Sequence, residues 1–160
     1  MKKAILCFAL LVGTFFLNIA ANFAPDADPK IQVALLLDTS GSMDGLIEQA
    51  KSQLWKLVNE LATSKRDGKV PQIELALYEY GKSTIPAQDG YLRAIVPLSN
   101  DLDLVSEKLF ALQTNGGDEY CGWAIKDATE ALQWSQSSKD LKIVIIAGNE
   151  SFAQGSEATD

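Results

Sequence analysis

Two almost unbroken aliphatic runs constrain this chain most: residues 31–38 (IQVALLLD) and residues 141–148 (LKIVIIAG). Neither alternates polar with apolar. Each therefore predicts a strand buried on both faces, as found in parallel sheets held between helices. After the first run, Leu46, Ile47, Ala50, Leu54, Leu57, Val58 and Leu61 recur at helical spacing with Lys51, Lys56 and Glu60 between them. That period predicts an amphipathic helix over 44–64, its apolar stripe covering one face of the sheet. Basic residues, Gly68 and Pro71 end it, and QIELALYEY (72–80) alternates into a second strand. YLRAIVPLS (91–99) reads as a third, joined by a hairpin-like link and placed at an edge by Pro97, which has no N–H for a ladder. Asn100 or Asp101 caps a helix through Leu112, and Trp123, Ala124, Ala128, Ala131 and Leu132 give another to about Trp134. The order β-α-β-β-α-α-β implies a Rossmann-like three-layer α/β/α fold, its sheet mostly parallel.

A chain of 160 residues, 47% of them apolar, suits one domain with a real core. Fourteen basic against 21 acidic residues, net −7, argue against nucleic acid or an anionic membrane as partner. There is no histidine. That removes every mechanism needing an imidazole base and every zinc or copper site built on imidazole nitrogen. Cys7 and Cys121 are the only cysteines, too few for a thiolate cage or a disulfide framework. Any metal would be held by oxygen.

Lys2 and Lys3 precede the apolar run AILCFALLVGTFFL, and small residues follow it. This predicts a secretory signal peptide over 1–21, with Cys7 leaving in it. An uncleaved membrane anchor is the alternative, although the run is shorter than the roughly 20 residues of a span. Both place the remainder outside the cytoplasm, periplasmic or secreted. Residues 22–29, with two prolines, read as a linker into a domain over 30–160. Only NESFAQGSEATD follows the last aliphatic run. A buried parallel strand there needs a neighbour, so the domain is expected to be incomplete at its C-terminal end, with Cys121 buried or awaiting a disulfide mate.

The chemistry concentrates where the first strand ends: Asp38-Thr39-Ser40-Gly41-Ser42. One carboxylate and two alternate hydroxyls on a tight loop can converge on a hard cation. Hydroxyl ligands add no negative charge, so such an ion stays electrophilic and can accept a carboxylate from outside. LLLDTSGSM resembles the D-x-S-x-S motif of the von Willebrand factor type A domain, and the chain looks like a secreted bacterial member. The resemblance covers residues 31 to about 155 and implies that Asp38, Ser40 and Ser42 are first-loop ligands of magnesium or manganese in a metal ion-dependent adhesion site. It also implies an antiparallel edge strand at 91–99 and two further strands beyond the chain given. Two loops depart from the family pattern. Gly116-Gly117-Asp118-Glu119 carries acids where a threonine is usual, making Asp118 and Glu119 candidate ligands, with Thr114 displaced by a few residues. Ala147-Gly148-Asn149-Glu150 stands where an aspartate and glycine are common. An added carboxylate would favour a tighter, calcium-tolerant or purely structural site.

Ordinary readings compete at these positions. Ser or Asp at 38–42 could simply cap the next helix, and Asp118 and Glu119 could belong to a solvated loop. Asn149 and Glu150 are weaker candidates for the site. Trp55, Trp123 and Trp134 read as packing residues on helices, and Tyr78, Tyr80 and Tyr120 as candidates for the upper rim. The expected function is a non-enzymatic, extracytoplasmic adhesion or protein-interaction module whose bound cation recognises an exposed carboxylate on a protein partner. A scaffold with a degenerate site is the first alternative. A phosphatase of the haloacid dehalogenase type is the second, though Ser40 stands where those enzymes carry another acid.

Overall fold

A computed structural model of the chain describes residues 29–65 and 68–150. The expected leader (1–21), all of the linker except Pro29, and residues 151–160 lie outside the described residues. The elements are β1 (Lys30–Asp38), α1 (Ile47–Thr63), β2 (Gln72–Tyr80), β3 (Leu92–Ser99), α2 (Leu102–Ala111), α3 (Cys121–Ala131) and β4 (Leu141–Ala147), with short 3-10 turns at Gly41–Met43 and Ala87–Asp89. The sheet order is β3-β2-β1-β4. β1 pairs in parallel with β2 and with β4, and β3 runs antiparallel to β2.

Period-two alternation along β1 divides the core. Val33, Leu35 and Leu37, with Ile73, Leu75 and Leu77 of β2, pack beneath α1 and α2. Ala34 and Leu36, with Ala76, Tyr78 and Tyr80, face α3. On that second face Ala34, Ala76, Ala124 and Ala128 are all fully buried, and small side chains on helix and sheet alike let the backbones approach closely. The architecture is the three-layer α/β/α arrangement expected, with one antiparallel strand at an edge. Pro97 sits in that strand at a register shift, where the pairing runs from Leu75↔Ser99 to Leu77↔Val96, so its missing N–H disturbs little.

Several details differ from the sequence reading. α1 starts at Ile47, three residues later than the period suggested, because Gly45 takes a positive φ of 82° and closes a turn. Leu46 and Leu57, read as part of the apolar stripe, are exposed. Lys51, read as part of the polar side, is 1% exposed. Its ammonium donates to the carbonyls of Phe110 (3.2 Å) and Leu112 (2.5 Å) and pairs with Glu48 (2.7 Å). A cation at the end of α2 thereby satisfies carbonyls that the helix itself leaves open. Lys51→Met keeps the stem and removes the donor. It is expected to cost about 1–3 kcal/mol in urea denaturation, the penalty for stranding buried carbonyls. α3 ends at Ala131 rather than Trp134, which lies beyond the helix with its indole N–H donating to Thr129 O at 2.9 Å. Tyr78 and Tyr80 belong to the core at 5% and 2% exposure and line no rim. Leu141 and Lys142 are exposed and residues 143–147 half-buried, because β4 forms the second edge of the described sheet.

The connections place the site. β1 passes to β2 through α1 on one face, whereas the chain reaches β4 after α3 on the other. The strand order thus reverses beside β1, and in open α/β sheets the crevice at the carboxyl ends of such strands is where ligands bind. Asp38 is the last residue of β1.

Candidate metal centre

Asp38 is fully buried. Its Oδ1 accepts the Ser40 N–H at 2.8 Å, while its Oδ2 is buried without a hydrogen-bond partner. A buried carboxylate oxygen left unpaired is costly unless something else completes it. Two residues on, the hydroxyls of Ser40 and Ser42 lie 2.9 Å apart. Neither serine caps a helix: the turn at Gly41–Met43 has no side-chain cap from Ser40, and α1 begins after Leu46. The two serine hydroxyls are therefore not used in helix capping.

Three further loops close on this one. Gly81, with φ 79°, follows β2, and a Cβ there would lie 2.9 Å from Asp38 Oδ1, 3.0 Å from Glu119 Cγ and 3.3 Å from Ser40 Cβ. Only glycine allows the backbone to pass between Asp38, Ser40 and Glu119 in that conformation. The Glu119 loop is stitched down by backbone bonds, Asn115 N–H to Thr39 O at 2.9 Å and Ser83 N–H to Gly116 O at 2.5 Å. From β4, Asn149 Oδ1 accepts the Ser42 hydroxyl at 2.9 Å, and its Nδ2 donates to Ser42 O at 3.0 Å. Gly148 lies against Asp38, where a Cβ would approach Asp38 Oδ2 to 3.1 Å and Tyr80 Oη to 2.5 Å.

Electrostatics mark the same spot. Burial holds the Asp38 carboxyl above the usual carboxylate range, the Ser40 hydrogen bonds and the nearby Asn149 backbone N–H act against this, and the charge of Glu150 adds to it. Glu119 is raised for the same leading reason, with the Ser40 hydroxyl opposing and the charges of Asp38 and Glu150 reinforcing. Acids from three loops thus feel one another at the end of β1. Beneath them Glu79, fully buried, accepts the Thr39 hydroxyl at 3.1 Å and is paired with Lys82 (3.2 Å) and Arg93. That network holds the residue between Asp38 and Ser40.

Of the residues singled out from sequence, the structure brings Asp38, Ser40, Ser42 and Glu119 together. Asp118 is exposed, and its charge is felt at Tyr91 instead. The Thr114 hydroxyl donates to Asp44. Asn149, a weak candidate in the sequence, is bonded twice to Ser42. Gly81 and Glu79 were not singled out; the GK after β2 carried only a turn signal. Cys121 is a buried free thiol, its pKa pushed up by burial, with the Tyr80 hydroxyl 3.9 Å away. Among the described residues, no three side chains of the Asp, Glu, Cys and His types gather closely enough to hold a metal by themselves. A cation here would depend on the serine hydroxyls as well. The available donors are carboxylate, hydroxyl and amide oxygen, the hard set that magnesium, manganese and calcium take, so these residues fit such an ion.

No family model matches the chain, and no curated protein matches it. Solved structures do resemble its fold. The vWF domain of the type V pili tip protein Mfa5 from Porphyromonas gingivalis superposes with a TM-score of 0.52 at 16% identity, over 73% of this chain and 37% of that one. The SpRpn10 VWA domain gives 0.56 at 12%, over 81% and 64%. The PilB minor pilin from Streptococcus sanguinis gives 0.55 at 18%, over 75% and 30%. The chain has the fold of von Willebrand factor type A domains and spans less than two thirds of the length of each of these structures.

Proposed function

We propose that this chain is a non-enzymatic, extracytoplasmic binding module in which Asp38, Ser40 and Ser42 hold a divalent cation that recognises a carboxylate on a protein partner. The observation that carries the reading is the buried Asp38 carboxylate, one oxygen of which has no hydrogen-bond partner, in a cluster with the Ser40 and Ser42 hydroxyls and a second carboxylate, Glu119. A cation would supply there the positive charge that the protein side chains do not, and would attract an incoming acid. Asp38 contributes charge, Ser40 and Ser42 neutral oxygens, and Glu119 a further carboxylate. Asn149 orients Ser42, and Glu79 orients the loop through Thr39. The resemblance to a pilus tip domain and a minor pilin supports an adhesive role and a place outside the cytoplasm. No observation favours the phosphatase reading, which lacks its second acid at Ser40.

The test is thermal unfolding in magnesium, manganese and calcium. At a hundredfold excess over the dissociation constant, cation binding is expected to stabilise the fold by about 2.7 kcal/mol. Ser42→Ala should weaken that response severalfold without unfolding the chain, since Ser42 is exposed. No response to any of the three ions defeats the proposal. One observation favours the degenerate scaffold as a second reading: among the described residues no three acidic side chains gather at the site closely enough to hold a metal. That reading wins if none of the three cations stabilises the chain and Asp38→Ala leaves the fold intact.

A further inference from the structure

A second feature adjoins the same edge. Tyr91 and Tyr120 stack with ring centroids 4.9 Å apart and planes 14° from parallel, and Trp123 adjoins Tyr120 at 5.5 Å. All three side chains are only half-buried. Packing alone gives a poor account of them, because Tyr91 is the only non-glycine described residue with a positive φ, at 53°, a region a tyrosine enters against steric opposition. The same residue ties the rings to the candidate metal centre: its carbonyl accepts the N–H of Gly81 at 3.2 Å, the glycine set between Asp38 and Glu119.

The surroundings are acidic. Asp118 is exposed and acts on Tyr91. Asp127 lies one helical turn after Trp123 on α3 and packs against Gly90, the neighbour of Tyr91. Asp89 is exposed two residues before Tyr91. Nearby cations are already committed, Lys82 and Arg93 to Glu79, and Lys126 also has a partner. Aromatic faces ringed by carboxylates select for a positive charge.

We propose that Tyr91, Tyr120 and Trp123, rimmed by Asp118 and Asp127, bind an arginine or lysine side chain of a protein partner beside the cation-held carboxylate. The partner class is thus a segment carrying a basic and an acidic side chain close together. The inference rests on the reading of this edge as a protein-binding surface, yet the basic subsite needs no metal.

The test follows the Trp123 indole N–H resonance of the full chain in chelator, assigned through Trp123→Phe, during titration with N-acetyl-arginine amide. A saturable shift is expected, with N-acetyl-norleucine amide giving none. Tyr120→Leu and Tyr91→Gly should each weaken binding about three- to fivefold. Tyr91→Gly also relieves the backbone, so it stays folded if Tyr120→Leu does not. Ser42→Ala should leave the arginine response intact while impairing the cation response, so the two readings fail separately. Absence of a shift, an equal shift with norleucine amide, or a saturable shift with a methyl glycoside in place of arginine overturns the proposal.

Discussion

Asp38→Asn should make the metal-free chain more stable at neutral pH and, in the same variant, abolish its response to divalent cations. The wild-type carboxyl is fully buried, with one oxygen bonded to the Ser40 N–H and the other unpaired. Its folded pKa is raised above the ordinary value, chiefly by burial. For an acid so shifted, the native state binds the proton more tightly than the unfolded chain. Stability from this group is therefore fully present below the unfolded pKa and lost as pH rises through the folded one. At neutral pH the wild type carries that loss, and the neutral amide does not. The gain in Asp38→Asn is expected to be about 1–3 kcal/mol, the scale of a poorly compensated buried polar group. It should shrink as the pH falls through the raised pKa of Asp38, below which the wild-type carboxyl is neutral as well. Cation affinity should fall about 100-fold or more, since even an outer partner of a metal ligand can cost that much. Urea denaturation at pH 7.5 and pH 4, with and without magnesium, reads both effects. A less stable variant at neutral pH that still responds to magnesium would refute the account.

Gly117→Ala should destabilise the chain and impair the centre, whereas Gly116→Ala should do almost nothing. A Cβ at Gly117 would collide with Gly81 O, Ser83 N and the Lys82 carbonyl carbon, all backbone atoms with no flexible side chain to yield. The 114–120 loop would have to retreat from the 81–83 turn, opening the Ser83 to Gly116 hydrogen bond and withdrawing Glu119 from Asp38. Overpacking of this kind costs about 1–3 kcal/mol, to which the broken bond adds about 1 kcal/mol. A Cβ at Gly116 meets nothing within 4 Å, and its variant should stay within about 0.5 kcal/mol of wild type. Chemical denaturation of the pair, with cation response as the second readout, makes the comparison. Equal stability of the two variants would show that these loops are not packed as described.

The two glycines are consecutive and look alike in the sequence, which illustrates where its information ran out. β2 was legible to the residue, and the other strands to within one, because burial on both faces of β1 and alternation in β2 write themselves into local order. Pro97 announced an edge strand for an equally local reason. Lys51 did not announce its burial, since a helical period shows which side a residue lies on and not that the carbonyl end of another helix waits there. The aromatic cluster was similarly opaque: Tyr91 lies on one loop, and Tyr120 and Trp123 at the start of α3, with no spacing to connect them.

For the candidate centre the division is the same. Asp38, Ser40 and Ser42 come from a single turn of chain, so their oxygens are close whatever the rest of the fold does, and five consecutive letters suffice to find them. Glu119 and Asn149 lie far along the chain, and whether an acid at 118 or at 119 turned inward depended on how one loop was tied to Thr39 and Ser83. Local order determined the strand, its acidic tip and the two hydroxyls. Only the packing of three loops at the reversal of the sheet decided which distant side chains join them, because contacts between remote segments follow from strand order and loop closure and leave no period in the sequence.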